Sequence, residues 1–302
     1  MKSLSIGHFT NADLGTGLTV FLFDQPARAA YCIPGSSPAT RELHILEPDS
    51  NVEHIDALML TGGSAYGLGA ANGVMQWLQE KGQGKKMPHG GVVPIVAAAA
   101  IYDMAFKAAV APTIDEAYQA CKQAKPNNPL RGRHGVGTGA TIGKLVQKTT
   151  RMSGGLGMAE IKLNNGLEVI AYAAVNAVGD IRDASNHIIA GAKLPNGSFA
   201  DCRDYLLAGN SNKTSHEENT TLVALFTNAA FSQIELKRIA KMATAGMAQA
   251  ISPVFTRYDG DIVFCISLGD FKAEELVVGT IAVEVVRKAI LNAVSESVEI
   301  QL

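Results

Sequence analysis

The sequence predicts a layered domain of mixed α and β structure, and three observations predict it. Several strand-like runs are apolar almost without interruption, as in strands covered on both faces. Two long segments carry apolar residues at helical spacing. Two capping boxes mark where helices begin. Mixed strands and helices of this kind imply a sheet covered by helices, an α/β or α+β arrangement.

The elements follow in chain order. Over residues 17–34, Leu18, Val20 and Leu22 alternate with Thr19, Phe21 and Phe23, the pattern of a largely buried strand. Ala57 to Leu60 is a short apolar run ending at Thr61-Gly62-Gly63, and a helical pattern follows from about Ala65 to Glu80, stopping at Gly82. Thr113-Ile-Asp-Glu116 is a capping box opening a helix to about Lys125. Residues 158–163 and 168–176 read as strands joined by the turn Asn164-Asn165-Gly166. From 204 to 219 the pattern breaks into a polar, exposed-type loop. A strand of high β-propensity follows at Thr220–Thr227, and Ser232-Gln-Ile-Glu235 is the second capping box. Its helix aligns Leu236, Ile239, Ala243 and Met247. Residues 262–268 form a buried-type strand, and a last helix over about 272–294 aligns Leu276, Ile281, Val285, Ala289 and Ala293.

The bulk numbers narrow the function. At 302 residues, 47% of them hydrophobic, the chain has ample material for a core. A net charge of -2 and a pI near 6.4 carry no nucleic-acid footprint, which needs a clustered basic face. The opening MKSLSIGHFTNADLG lacks the apolar run of a secretory signal. The most apolar stretch, Gly91 to Phe106, contains Pro94 and Asp103 and is too short for a bilayer core of about 30 Å. The expectation is a soluble cytoplasmic protein without membrane or nucleic-acid partners. Cys32, Cys121, Cys202 and Cys265 form no CxxC pair, and there is no His or Cys ligand pattern, so no metal site and no cofactor is expected. The Asn-x-Ser/Thr triplets at Asn196, Asn212 and Asn219 lack the secretory context that glycosylation needs.

Four local motifs can carry chemistry. Gly62-Gly-Ser-Ala-Tyr-Gly67 lies where a serine nucleophile elbow would, but Tyr66 replaces the glycine that G-x-S-x-G requires. A glycine turn for close backbone approach fits it better. Gly135-Val-Gly-Thr-Gly-Ala-Thr-Ile-Gly-Lys144 fails the P-loop pattern at Thr138 and Leu145. It reads as a tight glycine turn, or as a rigid loop from which Lys144 reaches a site. Asp259-Gly260-Asp261 is either a hairpin turn or a pair of carboxylates at positions i and i+2 on one side of a strand. Two close carboxylates cannot both ionise freely, so such a pair can hold a proton near neutral pH. Asn219-Thr220-Thr221 reads locally as a strand start. Were the bond before Thr220 cut, the new α-amine, with a pKa of roughly 8, could serve as base to the hydroxyl on the same residue.

Taken together, these blocks resemble the P1 (DmpA-type) peptidase family, which includes L-aminopeptidase/D-esterases, β-peptidyl aminopeptidases and the endo-type nylon-oligomer hydrolase. The resemblance runs in order through Leu4-Ser-Ile-Gly-His8, LTGGSAYGL (60–68), VPIVAAAAIYD (93–103), GVGTGATIGKL (135–145), GGLGMA (154–159), VNAVGD (175–180), NTTLVALFTNA (219–229) and PVFTRYDGDIVF (253–264). It implies an α+β fold, an αββα sandwich of the DmpA/ornithine-acetyltransferase-like, N-terminal-nucleophile-like type. It also implies one domain that cleaves itself between Asn219 and Thr220 into residues 1–219 and 220–302. The Asn-Thr junction and the Asp-Gly-Asp motif look most like the threonine-type members; serine-type members carry a serine and a glutamate where this chain has Asp259 and Asp261. On the family match Thr220 is the nucleophile, Asp259 and Asp261 are its carboxylates, and Asn176 supports the oxyanion. Lys144 lies beside the nucleophile and Tyr102 lines the site. A homotetramer of cleaved protomers acting on small peptides, aminoacyl amides or esters is implied. Hydrolysis of 6-aminohexanoate oligomers, or acyl transfer through the same nucleophile, is the alternative. A serine esterase built on Ser64 and a non-enzymatic binding protein are competing classes.

Overall fold

The structure is a computed structural model that describes residues 1, 3–126, 128, 130–211 and 219–300. Its principal strands are β1 (Leu4–Asn11), β2 (Thr16–Cys32), β3 (Ala39–Arg41), β4 (His54–Thr61), β5 (Val96–Ala100), β6 (Gly155–Lys162), β7 (Glu168–Asn176), β8 (Thr220–Ala229) and β9 (Ile262–Phe271). The principal helices are α1 (Ala71–Glu80), α2 (Ile114–Lys122), α3 (Gln233–Ala250) and α4 (Glu275–Ala293).

Hydrogen bonding runs β6-β7-β8-β9-β2-β4-β5-β3, with β1 on β2. The pairs β8–β9 and β4–β5 are parallel, and the other neighbours are antiparallel. The long β2 belongs to both layers. Its first half pairs with β1 and β4, its register shifts between Leu22 and Ala27, and Arg28–Cys32 pair with β9. A bulge of this kind bends a strand and lets it pass from one sheet to the other.

Alternation along the strands builds three cores. On β7, Val169, Ala171, Ala173 and Val175 face α3 and α4, while Ile170, Tyr172 and Ala174 face the second sheet. On β8, Val223 and Leu225 face the helices, and Leu222, Ala224 and Phe226 face inward. On β4, Leu58 and Leu60 face inward, while Ala57 and Met59 meet α1 and α2. The order of layers is therefore α3/α4, sheet, sheet, α1/α2, the αββα sandwich. Between the sheets, Phe21 lies 5.2 Å from Tyr172 and 5.1 Å from Phe226, ring centre to ring centre. Tilted aromatic pairs at that spacing add about 0.5–1.5 kcal/mol each beyond their buried area.

Both capping boxes form, Thr113 with Glu116 and Ser232 with Glu235. The last helix leaves Leu276, expected on its apolar stripe, exposed and buries Val278 and Ala282 instead, and two further elements begin differently from the sequence reading. The helix expected from Ala65 begins as a turn at Ser64–Gly67, tightens over Leu68–Ala70 and becomes regular only at Ala71. Gly63 and Ser64 have positive φ (79° and 53°), and Gly67 packs so close that a Cβ there would sit 1.9 Å from the Gly62 carbonyl oxygen. The loop from 204 opens inside a short helix, Cys202–Leu207, capped by Asp201. Within this loop, residues 212–218, including the Asn212 triplet, lie outside the described residues.

Candidate active site

The site forms where β7, β8 and β9 begin or end together. Antiparallel register places Asn176, the last residue of β7, opposite Thr220, the first of β8. Parallel register places Asp259 beside Asn219 and Ile262 beside Leu222. Asp259-Gly260-Asp261 is thus not a hairpin turn: it feeds β9 alongside β8 in the same direction. The hairpin reading fails because β9 takes its antiparallel partner from β2 instead.

Asn219 is gripped from two sides. Its N–H donates to the Tyr258 carbonyl at 2.9 Å, and its carbonyl accepts from Gly260 N–H at 2.6 Å. The Thr220 hydroxyl donates to the same Asn219 carbonyl at 2.5 Å. The nucleophile candidate and the bond before it are therefore in contact.

The two carboxylates are held by backbone donors. Asp261 Oδ1 accepts from Thr221 N–H at 2.6 Å, and Oδ2 from Phe255 N–H at 3.3 Å. Asp259 Oδ2 accepts from Thr256 N–H at 2.8 Å. Burial, and then the charge of Asp259, push the Asp261 carboxyl well above the usual range. Burial also raises Asp259, against the pull of Thr256, Lys144 and Val178 N–H. Such a pair titrates as a unit and holds a proton to higher pH than either carboxyl alone.

Lys144 approaches from the glycine-rich loop. Its Nζ donates to Asn176 Oδ1 at 2.8 Å and to the Asn176 carbonyl at 3.1 Å. Thr141 N–H donates to the same Oδ1 at 3.0 Å, and Asn176 Nδ2 donates to the Tyr102 carbonyl at 3.0 Å. With its oxygen occupied by two donors, the Asn176 amide is fixed in orientation, and its second Nδ2–H is what it can offer a developing oxyanion. Tyr102 takes part through its main-chain carbonyl, and it lines a small recess with Asp103, Phe106, Lys144 and Arg151. All seven residues singled out from the sequence thus sit in one connected cluster.

The two glycine-rich motifs make main-chain contacts. Gly135 and Val136 give their N–H groups to the hydroxyls of Thr10 and Thr19 rather than to a phosphate cradle. Ser64 N–H is bound to the Ile101 carbonyl at 3.0 Å. The four cysteines are free thiols.

Sequence reasoning missed two features. Asp103 is buried; its Oδ1 accepts from Gly63 N–H at 2.7 Å and its Oδ2 from the Thr16 hydroxyl at 2.9 Å. Burial raises its pKa to about 6 against these bonds and the Lys144 charge. Its signal was visible, since it is the one charged residue in the apolar run 91–106. The second feature is a strap after β2: Ser36 and Ser37 donate N–H groups to the Asp259 carbonyl, and Gly35 N–H to that of Asp261. Backbone donors of this kind leave no mark in a sequence.

Comparison with known proteins shows the family and the fold. The model of peptidase family S58 matches residues 1–301. An uncharacterized aminopeptidase of Mycobacterium leprae is 34% identical over 301 residues, covering 90% of this chain and 78% of that protein. One from Mycobacterium tuberculosis is 36% identical over 283 residues, covering 88% and 79%. A 6-aminohexanoate-oligomer endohydrolase of Kocuria is 28% identical over 312 aligned residues, covering 96% and 83%. Among solved structures, the L-aminopeptidase D-Ala-esterase/amidase of Ochrobactrum anthropi, a variant of the Ntn hydrolase fold, superposes with a TM-score of 0.71 at 17% identity, covering 96% of this chain and 83% of that one. A Burkholderia β-aminopeptidase gives 0.70 at 17% identity, covering 97% and 84%. The two structures agree with the αββα architecture. With a family model spanning nearly the whole sequence, this chain belongs to peptidase family S58, the DmpA family, and is a hydrolase of the aminopeptidase or amidase kind.

Proposed function

We propose that the chain cuts its own backbone between Asn219 and Thr220, and that Thr220 then serves as an N-terminal nucleophile hydrolysing amides of small peptides or aminoacyl amides and esters. The observation that carries this is the Thr220 hydroxyl lying 2.5 Å from the carbonyl oxygen of the residue before it, ringed by Lys144, Asn176, Asp259 and Asp261. A buried hydroxyl against its own preceding carbonyl serves no external substrate while the chain is intact, since Thr220 is only 3% exposed. Cutting that bond frees an amine and lets Asn219 move aside.

In turnover the freed amine, or the Asp259/Asp261 pair, takes the hydroxyl proton as oxygen attacks the substrate carbonyl. Asn176, held by Lys144 and Thr141, offers its remaining amide N–H to the oxyanion, a contribution worth roughly 3 kcal/mol where measured. The amine leaves with a proton, and water releases the acyl group and restores the hydroxyl. Assembly into a homo-oligomer of cleaved protomers is part of the same proposal, and light scattering of purified protein reads it.

A second substrate reading rests on one observation, the 28% identity to the 6-aminohexanoate-oligomer endohydrolase across 96% of this chain. The higher identity to the uncharacterized mycobacterial aminopeptidases, 34% and 36%, supports aminoacyl substrates for this chain as the first reading. Matured protein tested on a panel of L-aminoacyl amides, D-amino esters, β-peptides and 6-aminohexanoate oligomers separates them. Aminoacyl turnover without oligomer cleavage is the expected outcome, and the reverse overturns the order.

A further inference from the structure

The Asn219 carbonyl receives a hydrogen bond from outside the scissile residue pair, the Gly260 N–H at 2.6 Å. That donor is rigidly placed. On one side the Asp259 carbonyl is bound by Ser36 and Ser37 N–H at 2.7 and 3.0 Å, and on the other the Asp261 carbonyl by Gly35 N–H at 3.2 Å. The acceptor is equally fixed, through Asn219 N–H to the Tyr258 carbonyl at 2.9 Å. Gly260 also has no room for a side chain. A Cβ there would lie 2.6 Å from the Ser37 carbonyl oxygen and 2.9 Å from Thr220 Oγ1. The residue that donates to the scissile carbonyl is thus also the one whose missing Cβ leaves space for the nucleophile.

We infer that Gly260 is a catalytic residue of self-cleavage: its N–H is the oxyanion donor, and its lack of a side chain admits the Thr220 hydroxyl. The inference rests on the self-cleavage proposed above and adds a residue to it. In the step, the bond from Thr220 Oγ1 to the Asn219 carbonyl carbon forms while the hydroxyl proton passes to the buried Asp259/Asp261 pair. The carbonyl π electrons move onto the Asn219 oxygen, where Gly260 N–H already points. Such a preset donor stabilises charge without reorganising as the charge develops. The intermediate collapses by breaking the Asn219 C–Thr220 N bond, and nitrogen takes the proton back as a free amine. Water then hydrolyses the Asn219–Thr220 ester, releasing the Asn219 carboxylate and restoring the hydroxyl. Asn176 and its Lys144 brace lie on the opposite strand neighbour of Thr220, so the donor for maturation and the donor for turnover are different groups.

The test exchanges the Gly260 amide for an ester by incorporating glycolic acid at position 260 during cell-free synthesis. This deletes the N–H and adds no atoms. Maturation is followed by intact mass on the folded fraction from gel filtration. The expected result is cleavage slowed about 10²–10³-fold. The same exchange at Ser37, which removes a bond to the Asp259 carbonyl and none to Asn219, is expected to slow it less than tenfold. Gly260→Ala is expected to stay uncut. An ester at 260 that matures at the wild-type rate overturns the donor role, and Gly260→Ala maturing at the wild-type rate overturns the steric one. A wild-type chain that never cuts instead overturns the self-cleavage reading itself, so the two failures are distinct.

Discussion

Asp103 is predicted to destabilise the folded protein at neutral pH, and Asp103→Asn to stabilise it. Burial lifts the folded-state pKa from the ordinary 3.8 to about 6. The folded state therefore keeps its proton through the window from about pH 4 to 6 while the unfolded state has already lost it. The folded state binds more protons there, so stability from this group falls as pH rises through the window and is flat above it. Each pKa unit is worth about 1.4 kcal/mol, which makes the loss about 3 kcal/mol above pH 6. Asparagine can keep both contacts, its oxygen accepting from Gly63 N–H and its amide donating to the Thr16 hydroxyl. Some strength is lost because both bonds are charge-assisted in the wild type. The net expectation is a gain of about 1–3 kcal/mol at pH 8 that shrinks toward zero near pH 4. Urea melts from pH 4 to 8, both proteins carrying Thr220→Ala so that each is a single chain, measure it. A difference that does not change with pH, or a wild type more stable than Asp103→Asn at pH 8, refutes the reasoning.

Three further predictions concern the site and the core. The Thr221 hydroxyl is buried without a hydrogen-bond partner among the described residues; Thr221→Val is expected to leave maturation intact and raise stability by up to about 1 kcal/mol, read by thermal melting. Lys144→Met is expected to lower kcat about 10²-fold, because Asn176 loses the cation that orients it. It should also move the acid limb of the pH–rate profile to higher pH, since Lys144 holds the Asp259 carboxyl down; an unmoved acid limb would separate Lys144 from Asp259. Phe226→Ala, in the aromatic cluster between the sheets, is expected to cost about 3–5 kcal/mol in chemical denaturation.

What could be read in the sequence follows from how far each signal travels. Strands buried on both faces, the two capping boxes and the Asn164-Asn165-Gly166 turn are local, and each appears where its residues place it. The Asp259-Gly260 dipeptide is local as well and misleads, because a turn signal does not reveal that the next strand pairs in parallel with β8 across residues 230–261, helix α3 and its connections. The grouping of Lys144, Asn176 and Thr220 needs the β7–β8 register; only the family resemblance conveyed it beforehand. The backbone donors of Gly35, Ser36, Ser37 and Gly260 are identical in every sequence, so only the fold shows that they converge on the Asp259–Asp261 segment and on Asn219.

The central claim is that Thr220 becomes an N-terminus and the nucleophile. Intact mass and N-terminal sequencing of freshly purified wild-type and Thr220→Ala protein test it most directly, alongside amide hydrolysis. The account predicts two fragments for the wild type, residues 1–219 and 220–302 with the smaller beginning at Thr220, and an uncut, inactive Thr220→Ala. A wild-type protein that hydrolyses amides as one uncut chain contradicts it.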